Sequence, residues 1–129
     1  MVAGTLTAEM QSVGAELTKR LDEAALNVRA AFWLYDAEHR GWRLVFATPK
    51  VRSEGPKQVY KTIQSALSKV ETAESGVSLQ DVAATAPDDP VVGLLRAALR
   101  SVPGISGVRF SGSAIKGVLV SDAYVYRLM

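Results

Sequence analysis

Between Leu6 and Val28, apolar residues recur at every third or fourth position: Leu6, Met10, Val13, Leu17, Leu21, Ala24 and Val28. That spacing aligns them along one stripe of an α-helix and predicts a helix over about 7–29. Thr7 is placed to cap it, since its hydroxyl accepts a bond from a free backbone N–H of the first turn, and Glu9 suits the positive end of the helix dipole. Glu16 and Arg20 form a favourable i, i+4 pair on the polar side. The stripe is regular enough for a coiled-coil seam, but without a strict partner pattern it reads as a helix lying on the protein's own sheet.

The period then changes from helical to alternating. The stretch "FWLYDAEHRGWRLVF", residues 32–46, holds five of the nine aromatic residues in the chain. It predicts a hairpin of strands near 30–36 and 42–48, joined by "DAEHRG", where Asp36 bonds back to the backbone and Gly41 takes positive φ. The expected register sets Phe32 and Leu34 on one core face with Trp42, Leu44 and Phe46, and leaves Trp33, Tyr35, Arg43 and Val45 on the other. Because that second face carries a tryptophan and a tyrosine, something has to cover it.

Further along, Pro56 suits the first position of a helix over about 56–73, with Gly55 or Ser53 capping and Val59, Ile63, Leu67 and Val70 as its buried stripe, fading near Glu74 to Gly76. "VSLQDVAAT" predicts a short strand within 77–85, a loop being the alternative. Asp89 as cap and Pro90 as first residue open a helix over about 90–101, which Pro103 and Gly104 end. The tail is rich in β-branched and aromatic residues and predicts two or three antiparallel strands over 105–128, with breaks at Ser111 to Ser113 and at Ser121 and Asp122. Gly107, Gly112 and Gly117 mark turns and a bulge in this reading. Tyr124 and Tyr126, two apart, share one strand face and read as sheet packing.

The element order α-β-β-α-β-α-β-β defines an α+β fold: a single-layer, mainly antiparallel sheet of about five strands packed with three helices, in one domain spanning 1–129. Apolar residues on both faces of both hairpins require either helices on both sides of the sheet or a face used between copies of the chain.

Composition narrows the chemistry. With no cysteine there is no disulfide, no thiolate nucleophile and no zinc ribbon, a usage compatible with a reducing compartment. The N-terminus lacks a basic start followed by an apolar run of signal-peptide length, and nowhere are there 18 consecutive apolar residues; a cytoplasmic protein without membrane contact is the expectation. The only histidine, His39, falls in the hairpin turn, where a solvated polar role outweighs a catalytic one supported by Asp36 or Glu38. Of the carboxylate pairs, Glu71 with Glu74 sits at a fading helix end and Asp88 with Asp89 at a cap, so neither is read as a metal site or an acid–base pair. "GISGVRFSGSAIKG" contains neither GxxxxGK[ST] nor a GxGxxG leading into a helix, and Lys116 follows no phosphate-cradling turn. No catalytic residue, metal or cofactor is therefore expected, and an enzyme would require a closed pocket in which Tyr, Lys, Arg and carboxylates converge.

Net charge is only +2, yet six basic residues, Arg40, Arg43, Lys50, Arg52, Lys57 and Lys61, face Glu54 alone within 39–61. Next to Trp33, Tyr35 and Trp42, such a segment has the makings of a nucleic-acid contact, which is the alternative reading. The leading expectation is a noncatalytic protein-interaction module: a small accessory or adaptor protein that self-associates, as a homodimer for instance, or docks a larger partner. Its expected contact residues are Trp33, Tyr35, Arg43 and Tyr124, of the types that dominate interface energetics when desolvated.

Overall fold

The computed structural model describes residues 5–36, 41–73, 75–99, 107–115 and 118–129. Expectations that rest on Glu38, His39, Arg40, Glu74, Pro103, Gly104, Lys116 and Gly117 lie outside the described residues. The fold is α+β. Among the described residues four helices, α1 (Ala8–Glu23), α2 (Lys50–Ser53), α3 (Pro56–Leu67) and α4 (Pro90–Leu99), accompany five strands, β1 (Ala30–Asp36), β2 (Gly41–Ala47), β3 (Val82–Thr85), β4 (Val108–Ile115) and β5 (Val118–Leu128). The strands form one sheet in the order β3-β2-β1-β5-β4. All pairings are antiparallel except β2 with β3, which is parallel.

Both faces of this sheet are covered. On one, α1 and α3 enclose Trp33, Leu44, Phe46 and Tyr126 with Leu17, Leu21, Val59 and Ile63. On the other, α4 lays Val92 and Leu95 on Phe32, Ala123, Val125 and Leu128. Helix caps behave as their residue types dictate. The Thr7 hydroxyl accepts from Met10 N–H at 3.1 Å, and Glu16 meets Arg20 at 3.1 Å. Asp89 accepts from Val91 N–H with one carboxylate oxygen and from the Thr85 hydroxyl with the other, both at 2.9 Å, which fixes the start of α4 to the end of β3.

Four details of the expected layout change. First, α1 stops at Glu23, short of 29. Ala25 takes φ of +58° while its N–H and that of Leu26 bond back to the carbonyls of Asp22 and Leu21. This paired closure terminates the helix with alanine where glycine is usual, so no sequence signal interrupts the apolar stripe. Val28 is buried all the same, on the path into β1.

Second, the hairpin register is offset by one residue from the expected one. Trp33 pairs with Leu44 and Tyr35 with Trp42, while Leu34 pairs with Arg43 and Phe32 with Val45. Because side chains alternate, the offset moves Trp33 and Tyr35 into the core face with Trp42, Leu44 and Phe46, and sends Arg43 and Val45 to the α4 face with Phe32 and Leu34.

Third, the stretch between β2 and Pro56 holds the single-turn α2. There Thr48, buried, donates its hydroxyl to the Leu26 carbonyl at 2.7 Å and accepts from Lys50 N–H at 3.2 Å. α3 follows from Gly55, at φ +89°, and ends at Leu67 before the expected 73. β3 is shortened to four residues behind a 3₁₀ turn, Leu79–Asp81.

Fourth, the tail is a single long hairpin. The β4–β5 register is constant from Val108↔Val125 to Ile115↔Val118, so neither Ser111 to Ser113 nor Ser121 and Asp122 break a strand. The bulge lies at Tyr126, which is skipped when Ala31 pairs with Arg127 and Phe32 with Val125. A bulge turns two consecutive side chains to one side. Tyr126 and Arg127 consequently both reach α1: the Tyr126 hydroxyl donates to the Gln11 carbonyl at 2.6 Å, and Arg127 clamps both carboxylate oxygens of Asp22 at 2.7 and 2.8 Å.

Candidate interaction surface

Beyond the rows of the sheet that α1 and α3 fill, the same face continues as a row of polar and aromatic side chains. The register sets Trp42 of β2 beside Tyr35 of β1, and Asp122 of β5 lies two residues from Tyr124, the partner of Trp33. Tyr35 meets Trp42 edge to face, with ring centroids 5.6 Å apart. Arg109 of β4 reaches across, its guanidinium 5.3 Å from the centre of the Trp42 ring, within cation–π range. The same guanidinium grips Asp122 with two nitrogens, Nε at 2.6 Å and Nη2 at 2.5 Å. These bonds raise the Arg109 pKa, with burial opposing them and the charge of Asp122 adding to them. Tyr124 completes the cluster, packed edge to face on Tyr126 at 5.3 Å. Its hydroxyl lies directly against Gly107, where a Cβ would overlap it.

The gradient of burial across this cluster is informative. Trp42 is 5% exposed, Tyr35, Tyr124 and Asp122 are half-buried, and Arg109 is open to solvent. An aromatic floor thus carries an arginine that is already oriented, by an indole beneath it and by a bidentate carboxylate along its edge. A side chain held in this way has little rotamer freedom left to lose.

The four contact residues expected from sequence do not form one surface. Tyr35 and Tyr124 belong to this cluster. Trp33 is fully buried beneath them, its indole N–H donating to the Tyr126 hydroxyl at 3.0 Å, so its contribution is packing. Arg43 lies on the opposite face, half-buried, its Nε enclosed without a hydrogen-bond partner among the described residues. Arg109, Asp122 and Trp42 were not anticipated as a group. The register of β4 on β5 brings the first two together, because it sets Arg109 opposite Tyr124 and so beside Asp122.

The basic residues disperse as well. Arg43 is on the α4 face, Lys50 pairs with Glu54 at 3.4 Å and Arg52 with Asp88 at 2.9 Å, while Lys57 and Lys61 stand exposed on α3. Lys61 lines an open groove of about 420 Å³ between α1 and α3, with Arg20, Lys69 and Glu23. Among the described residues no group of three or more His, Cys, Asp or Glu side chains converges, and no helix is long and apolar enough to cross a membrane. Among known protein families, curated proteins and solved structures, none matches this chain.

Proposed function

We propose that the protein is a noncatalytic interaction module, a small cytoplasmic accessory or adaptor protein that docks a larger protein partner through Tyr35, Trp42, Arg109 and Tyr124. The observation that carries this reading is the surface arginine held over Trp42 and bound to Asp122. Tryptophan, tyrosine and arginine are the residue types over-represented among energetically dominant interface positions, where they work best when preorganised and ringed by groups that exclude water. Here the half-buried tyrosines supply the ring and the Asp122 carboxylate removes the need for a partner to neutralise the arginine fully.

The test is capture of partners on the tagged protein, with and without nuclease and across a range of salt. Recovery of one protein in near-equal amount, resistant to nuclease, is the expected result. Recovery of nucleic acid alone, lost with nuclease and with salt, would overturn the reading and transfer it to the basic segment 39–61.

A further inference from the structure

Charge is spread unevenly over the two helices that cover Trp33 and Phe46. The ion pairs among the described residues engage Arg20, Lys50, Arg52, Arg109 and Arg127. Lys57, Lys61 and Lys69 belong to none of them. α3 contains no Asp or Glu to pair with its lysines, and Lys57 precedes Lys61 by four residues, a spacing at which like charges on one helix repel and weaken it. A solvated helix face usually alternates in sign, as α1 does with Glu16 and Arg20. The arrangement on α3 therefore costs helix stability, and no carboxylate among the described residues offsets it.

Two of these lysines stand at the same hollow. The groove of about 420 Å³ between α1 and α3 is lined by Lys61, Lys69 and Arg20 against a single carboxylate, Glu23. Its volume falls within the range of small-molecule sites, roughly 300–1,000 Å³. Arg20 gives its Nε–H to Glu16 at 3.1 Å, and its terminal nitrogens remain unused donors among the described residues. The Gln58 amide and the Ser65 hydroxyl, also in the lining, make no side-chain hydrogen bond among the described residues either. Positive charge and spare donors thus converge on one concave site, which defines an anion as its ligand.

The form of the anion follows from the spacing. Lys61 and Lys69 are eight residues apart, roughly 12 Å along α3 and the turn after it. A ligand that engages both, and Arg20 across the groove, needs charge at several points along its length. Lysine binds phosphate as a point charge, and a chain of phosphates supplies several such points. No aromatic side chain lines the groove among the described residues, so a nucleic-acid base would find no platform for stacking.

We infer that the groove between α1 and α3 binds a small molecule carrying a chain of two or more phosphates, held by Lys61, Lys69 and Arg20. The inference is separate from the docking reading, because the groove shares no residue with the Arg109 patch and either can fail alone.

Inorganic tripolyphosphate is the probe. Titration calorimetry on the purified protein at low salt is expected to give one site, which weakens steeply as salt is added because the groove is open to solvent. Citrate, a tricarboxylate, should bind about tenfold more weakly or less. Lys61→Glu and Lys69→Glu should each weaken tripolyphosphate about tenfold, whereas Lys19→Glu, the same change in net charge at an exposed position of α1 outside the groove, should leave it within about twofold. Amide shifts of the wild-type protein on titration should concentrate in 20–24 and 58–69, a readout that needs no variant. Absence of binding, equal losses from Lys19→Glu and Lys61→Glu, citrate bound as tightly, or shifts centred elsewhere would each overturn the inference. So would a mixed-sequence DNA single strand that binds the same residues more tightly than tripolyphosphate, which would make the groove a nucleic-acid contact.

Discussion

Tyr126 ties the central strand to α1. Its phenol oxygen accepts from Trp33 and donates to Gln11, and it rests on α1 at Gly14, where a methyl group would collide with it. Glycine within a helix costs about 1 kcal/mol relative to alanine, so Gly14→Ala would stabilise an isolated α1. In the folded protein the overlap with Tyr126 reverses the sign: we expect a loss of about 1–3 kcal/mol, read from the urea midpoint. Tyr126→Phe leaves a buried indole N–H without its acceptor and should cost about 1–3 kcal/mol. Burial pushes the Tyr126 phenol well above its ordinary value of 10.0, the indole bond opposing this only in part. The unfolded chain therefore loses this proton first. The contribution of the neutral phenol is complete below pH 10.0 and is lost as pH rises toward the folded-state value. Urea midpoints measured below and above pH 10.0 should fall on the alkaline side in the wild type, and Tyr126→Phe should remove that share of the decline.

At the scale of elements, what was legible in the sequence is what local chemistry dictates. Thr7, Pro56, Asp89 and Pro90 sit where their caps and fixed φ angles require, and the apolar periods placed α1, the first hairpin and α3. What stayed hidden depends on contacts distant in sequence or on a residue used against type. The end of α1 was invisible because alanine occupies the left-handed position. Ala25→Gly should relieve that strain and stabilise the protein by about 1 kcal/mol, measurable as a raised thermal midpoint, where loss of stability would contradict the assignment. Asp89→Ala should cost about 1 kcal/mol through α4. The hairpin register could not be read from alternation because both of its faces are apolar. A slip by one residue exchanges Trp33 for Phe32 and Leu44 for Val45, and both sets are buried or half-buried. The decision is made outside the hairpin, by the hydrogen bond from Trp33 to Tyr126 and by the fit of each face to its helices.

At the scale of the whole molecule, sheet topology assembles a surface that no stretch of sequence contains. β1 and β2 contribute Tyr35 and Trp42, and β4 and β5 contribute Arg109, Asp122 and Tyr124, from opposite ends of the chain. Two of the residues expected from their type alone are in this group. Arg43, expected for the same reason, is turned away by the register, and the contrast between the two arginines makes the docking account testable. Three forms of the protein, wild type, Arg109→Ala and Arg43→Ala, should be used side by side to capture partners under identical conditions after nuclease treatment. If the patch is the docking surface, removing Arg109 weakens retention by about 30-fold, the range of a dominant interface residue, while removing Arg43 leaves it near wild type. Retention that survives Arg109→Ala, or that is lost with Arg43→Ala instead, would contradict the account.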